Sequence, residues 1–177
     1  MKVSAKYLLI SIIFFIMMGF NLESHAQTKG SPPVINFAWA QESIRQGEDW
    51  RIYISATDPD GDMFRIYCRV NQTGGDNYRP DITRIKKEME GKLTGYLVLR
   101  TYSSQDFSGV SLTLTLIIED RAKNESKPIV LPLTFNGERM KPPPADLVSP
   151  DLAKELNQRI GHIGIDLLRR DQFGAGD

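Results

Sequence analysis

Between Pro33 and Gly137 apolar and polar residues alternate with a period of two almost throughout, the repeat expected of strands that bury one face. The first run, VINFAWA (34–40), follows the strand-blocking Ser31-Pro32-Pro33. In WRIYISAT (50–57), Trp50, Ile52, Ile54 and Ala56 alternate with Arg51, Tyr53, Ser55 and Thr57. MFRIYCRV (63–70) places Phe64, Ile66, Cys68 and Val70 on one face and Arg65, Tyr67 and Arg69 on the other. ITRIKKEME (82–90) is polar and weaker, and Gly91-Lys92 turns it into LTGYLVLRTY as a hairpin would. SLTLTLIIED (111–120) sets Leu112, Leu114, Leu116 and Ile118 against Thr113, Thr115 and Glu119. PIVLPLTF (128–135) turns Ile129, Leu131, Leu133 and Phe135 inward and leaves Pro132 on the outer parity. Proline cannot donate to a ladder, so this last run reads as an edge strand.

Seven short runs with one apolar face each predict an all-β chain, a seven-stranded antiparallel sandwich over residues 27–137. A different small β fold, such as a barrel, is the alternative. The pattern changes at both ends. Lys2 and Lys6 precede the apolar run YLLISIIFFIMMGF, and Ser24-His25-Ala26 offers small residues at a cleavage site. Residues 1–26 therefore read as a signal peptide, too short in its apolar run to span a bilayer, which takes about 20 residues. After the sandwich, residues 138–149 form a proline-rich linker with Pro142 to Pro144 extended. Ser149-Pro150-Asp151 then opens a helix predicted over 150–171, with a capping serine, a first-turn proline and an early acid. Leu152, Leu156, Ile160, Ile163 and Leu167 make one apolar stripe on it. Gly161 and Gly164 weaken the helix by about 1 kcal/mol each relative to Ala. Residues 172–177 are expected to be a disordered tail.

Charge narrows the classes of partner. Loss of Lys2, Lys6 and Glu23 from 22 basic and 22 acidic residues leaves 20 and 21. A balance this even gives no sign of a nucleic-acid surface, which would show a basic excess clustered on one face, and no nucleic-acid partner is expected. Membrane contact is expected only through the signal peptide before cleavage. Cys68 is the single cysteine, so no disulfide can form within the chain, and an exported domain must rely on its core or on a bound ion. The parity of Cys68 makes it a small core hydrophobe rather than a reactive thiol.

ATDPDGD (56–62) and EDRAKNESKPIVLPLTF (119–135) resemble, over about residues 33–137, bacterial immunoglobulin-like modules of the fibronectin type III and cadherin-like kind. The first is similar to their aspartate-rich turn after the second strand. The second is similar to their D-x-A-G-N-x-S turn before the last strand. Lys123 stands where the family usually has Gly, and a different backbone is expected there. The resemblance implies an immunoglobulin-like sandwich and no particular activity.

If the strands run alternately up and down, loops 58–62 and 119–126 emerge at one pole. Asp58, Asp60, Asp62 and Asp120 then approach one another, with Asn124 as a neutral oxygen donor and Glu90 at the same end. Calcium accepts six to eight such oxygens, and these five residues, the four aspartates and Asn124, are the candidate ligands of a structural calcium ion. The loop is not an EF-hand, because the twelfth position from Asp58 is Arg69 rather than Glu. The same Asp-Pro-Asp-Gly sequence also makes a tight turn with no ion at all.

Little points to catalysis. The only histidine beyond the signal is His162, and no phosphate-binding glycine motif is present. The chain reads as a non-catalytic interaction or structural module, exported to a periplasm, the cell surface or the medium. Its C-terminal helix, through the Leu152 to Leu167 stripe, is the expected docking or self-association element. The alternative is a small carbohydrate-binding module that stacks sugars on exposed Tyr53 and Tyr67.

Overall fold

The computed structural model describes residues 30–73, 78–101, 107 and 109–167. The signal peptide at 1–26, the last residues of the expected helix and the tail at 172–177 lie outside the described residues. Among the described residues the strands are β1 (Val34–Ala40), β2 (Ser43–Ile44), β3 (Trp50–Thr57), β4 (Met63–Gln72), β5 (Asp81–Arg84), β6 (Lys92–Leu99), β7 (Ser111–Asp120), β8 (Ile129–Phe135) and β9 (Arg159–Ile163), with one α-helix, α1 (Pro150–Leu156), and a 3-10 turn at Lys87–Met89. They form a four-stranded sheet, β1-β3-β6-β9, and a five-stranded sheet, β2-β8-β7-β4-β5. Strands β1, β3 and β6 on one side and β8, β7 and β4 on the other give the immunoglobulin-type interleaving. The first strand breaks at Gln41 and Glu42 and sends its continuation, β2, to the opposite sheet in parallel with β8.

The inward stripes meet as the alternation requires. Trp50, Ile52, Ile54, Leu93, Leu97 and Leu99 from one sheet pack on Ile66, Val70, Leu112, Leu114, Leu116, Ile118 and Leu133 from the other, all fully buried. Cys68 lies among them, and burial drives its thiol pKa well up, so it behaves as a hydrophobe. Pro132 is exposed opposite Thr113 of β7. Two residues on, the Thr134 N–H donates away from β7 to the Glu42 carbonyl at 2.8 Å. The missing Pro132 N–H therefore faces the edge that β2 leaves uncovered.

The seven antiparallel strands expected become nine among the described residues, with β2 and β9 joining their neighbours in parallel, and two local expectations change as well. The first is Phe64. A β-bulge between Met63 and Arg65 puts Met63 into the core and leaves Phe64 half-buried at the sheet margin, because one extra residue shifts the parity before it.

The second is the C-terminal helix. The N-terminus forms as expected, with Ser149 Oγ accepting the Leu152 N–H at 3.2 Å, but α1 ends at Leu156 rather than running to 171. The chain then extends and pairs in parallel with β6, Tyr96 N–H donating to the Gln158 carbonyl at 2.8 Å. Ile163, Ile165 and Leu167 alternate into the core, so these residues carried a period of two as well as a helical stripe. Pairing satisfies the open edge of β6 and avoids two helical glycines. The apolar stripe is consumed within the chain: Leu152 and Leu156 pack against Tyr53, and Ile160, Ile163 and Leu167 against the main core. Nor is the linker a free spacer. Gln41 Oε1 accepts the Lys141 N–H at 2.7 Å while its Nε2 donates to the Arg139 carbonyl at 3.0 Å.

Gly95 makes this docking feasible. Its φ is +152°, and a Cβ there would lie 2.3 Å from the Gln158 carbonyl oxygen. Gly95→Ala is expected to cost about 1–3 kcal/mol in denaturant unfolding and to open residues 138–167 to limited proteolysis. Unchanged stability and resistance would mean that β9 is not seated on β6.

Candidate functional site

Three loops meet at one end of the sandwich. Asp58 N–H donates to the Gly91 carbonyl at 3.1 Å, Met63 N–H to Glu90 at 3.0 Å, and Arg121 N–H to Asp62 at 3.1 Å. The carboxylates then tie each loop internally. Asp58, buried, accepts the Asp60 and Asp62 N–H groups at 3.1 and 3.2 Å. Asp120, also buried, accepts Asn124 N–H and Nδ2 at 2.7 Å each. Asp60 turns outward and accepts the Ser31 N–H. Lys123 has φ +69°, so the lysine keeps the left-handed backbone that a glycine there would adopt, contrary to the expected departure.

Of the five candidate ligands, Asp62 lies near both Asp58 and Asp120, Asn124 is bonded to Asp120, and Asp60 points to the N-terminal segment. Among the described residues, no three His, Cys, Asp or Glu side chains converge in the geometry of a metal site. Asp58, Asp60 and Asp120 each hold backbone N–H groups in place. Asp62 Oδ1 differs, being buried without a hydrogen-bond partner. Burial, followed by the Asp120 charge and the neighbouring Asp58, raises the Asp62 pKa above 3.8.

The outer faces of the two sheets differ. On the four-stranded sheet Trp39, Tyr53 and Tyr96 form one cross-strand row, with ring centroids 5.9 and 5.7 Å apart. Val148 and Leu156 from the tail close over its middle, leaving Tyr53 2 % exposed. Tyr53 is therefore not the exposed sugar platform that its parity suggests. Beside it the prolines Pro142, Pro143 and Pro150 border an apolar cavity of about 470 Å3.

The five-stranded sheet has no such cover among the described residues. Ile82, Tyr67 and Ile117 lie in register across β5, β4 and β7, with Val130 on β8 one step away. Ile82 and Val130 are 52 % and 59 % exposed. Tyr67 is half-buried on this face, and its hydroxyl donates to Glu119 at 3.3 Å, so the two tyrosines look to opposite sides of the sandwich. Above the apolar row stand Arg84, Arg65 and Glu119, also in register. Arg65 pairs with Glu119 at 2.7 Å and Arg121 with Glu90. The guanidinium carbons of Arg84, Arg121 and Arg65 lie 4.2, 5.0 and 5.5 Å from the Phe64 ring centroid. This convergence was hidden from the sequence, because parity assigned Phe64 to the core and only the bulge turns it outward. His162 is exposed on β9.

No family model matches the chain. No curated protein matches it either. Among solved structures it is similar to a PKD domain of an M14-like peptidase from the Thermoplasmatales archaeon SCGC AB-540-F20, at 17 % identity and a TM-score of 0.39, over 60 % of this chain and 97 % of that one. A likeness at that level carries no argument about what this chain does.

The raised Asp62 pKa has a defined sign. The folded state holds this proton more tightly than the unfolded chain, so the group's contribution is present below pH 3.8 and is lost as pH rises through its folded value. In chelator, Asp62→Asn is expected to melt higher than the parent at pH 7, with the gain vanishing toward pH 4. A variant that melts lower at pH 7 would show that the charged carboxylate stabilises the pole.

Proposed function

We propose that this chain is an exported, non-catalytic interaction module that meets its protein partner through the outer face of the five-stranded sheet. The observation that carries the reading is the contrast between the two outer faces. The tail covers the aromatic row of one, while Ile82, Tyr67, Ile117 and Val130 remain on the surface of the other beside arginines. Exposed apolar residues grouped with Tyr and Arg are the composition of contact hot spots. The docking element expected at the C-terminus is already occupied by the chain's own sandwich, so the contact surface shifts to this sheet.

A second reading adds a structural calcium ion at the aspartate pole and rests on one atom, the unpartnered Asp62 Oδ1. A cation there would neutralise the crowding among Asp58, Asp62 and Asp120. Repeating the Asp62→Asn melts in millimolar calcium tests it: the parent alone should gain stability, and equal behaviour removes the ion.

The interaction reading is tested by photo-crosslinking residues placed singly at Ile82, Val130 and Leu152 in the native cell. Adducts at Ile82 and Val130 that vanish with an additional Tyr67→Asp are expected, with none at Leu152. Adducts confined to Leu152, or absent throughout, would contradict it.

A further inference from the structure

On the open face, Arg65 and Arg84 are directly opposite one another on β4 and β5. Like charges in that relation destabilise a strand pair, and Arg121 brings a third guanidinium to the same ring. Each of the other two has a carboxylate. Glu119 takes Arg65 through Nη2 and Nε at 2.7 and 2.9 Å, and Glu90 takes Arg121. Arg84, exposed, forms no ion pair among the described residues and rests on Phe64 alone. Three cations thus share two anions about one phenyl ring, and the uncompensated charge sits at the solvent edge. A guanidinium over an aromatic face uses no N–H group in that contact, so its donors stay free for a carboxylate, and its fixed planar fork suits bidentate binding.

We infer that Arg84, braced by Phe64 and flanked by Arg65 and Arg121, is the receiving site for a carboxylate of an acidic polypeptide segment. This rests on the proposed role of the open face and specifies what that face recognises. Charge complementarity requires an anion, and the adjoining row requires more than a free one. Ile82, Tyr67 and Ile117 continue directly from the arginines, so the occupant presents apolar side chains next to its acid. The aspartate pole supports the site, because the Arg121 N–H bonded to the Asp62 carbonyl fixes the loop that carries the third guanidinium.

The test uses the full chain and a fluorescein-labelled octapeptide alternating Glu with Leu, read by anisotropy beside its Gln-for-Glu counterpart. The Glu peptide should bind about tenfold more tightly, the worth of one charge-assisted pair. Arg84→Gln should reduce it to the level of the Gln peptide, and Arg45→Gln, on a remote loop, should leave it unchanged. The same Arg84→Gln variant should melt no lower than the parent, since Arg65 loses a like-charged neighbour. Equal affinity for the two peptides, binding of neither, indifference to Arg84→Gln, or a lowered melt would each overturn the assignment. So would displacement of the Glu peptide by inorganic phosphate as readily as by unlabelled peptide, which would make this a site for free oxyanions. Crosslinks from Ile82 that persist in Arg84→Gln would leave the open face as the contact surface while removing this inference.

Discussion

A strand at the margin of a sheet carries a row of unpaired amides and carbonyls, and β6 would be such a strand without residues 159–163. The chain resolves that constraint with its own C-terminal segment. Once β9 lies along β6, Gln158 is brought onto Gly95, α1 is brought onto Tyr53, and the linker is drawn past Gln41. Lys92 adds an exposed ion pair to Glu155 at 2.8 Å, which contributes little on its own. The burial of Ile163, Ile165 and Leu167 outweighs it, at about 1.5–3 kcal/mol for each fully buried side chain. The consequence reaches the surface, since closing one face of the sandwich decides which face stays available.

The aspartates serve the same economy in the loops at one end of the sandwich. Asp58 and Asp120 are buried acceptors that hold the turns of two loops, and those loops hold each other through Arg121 and Asp62. Arg121 is thereby fixed above Phe64, next to Arg65 and Arg84. The fold is relaxed at most positions but not at Asp62 Oδ1, at Lys123, or where two arginines face each other across β4 and β5. Departures of this kind gather where a protein meets something else, and all three lie at this pole or on the face beside it.

The sequence was informative wherever a single period governed a run. Strands β1, β3 and β7 begin and end where alternation begins and ends, whereas β8, expected at an edge, has β2 beyond its last residues and Pro132 lies only in the stretch that β2 leaves unpaired. It was ambiguous where two periods overlapped. Residues 163–167 satisfy both a helical stripe and a strand alternation, and only the vacant edge of β6 decides between them. Local pattern carries no information about a vacancy on a distant strand. Phe64 fails for a related reason: a bulge adds one residue to the count and reverses the face of everything on one side of it. The convergence of Arg65, Arg84 and Arg121 depends on that bulge together with cross-strand register, so it was not legible. The meeting of loops 58–62 and 119–126 was, because strand direction alone places both at one end.

Residues 159–163 are a strand of the sandwich and not part of a projecting helix. Hydrogen–deuterium exchange on the full chain tests this most directly. Amides of residues 159–163 should be protected on the same timescale as those of Tyr96 to Leu99 in β6. Exchange at 159–163 as fast as in a free peptide, with β3 and β6 still protected, would contradict the account.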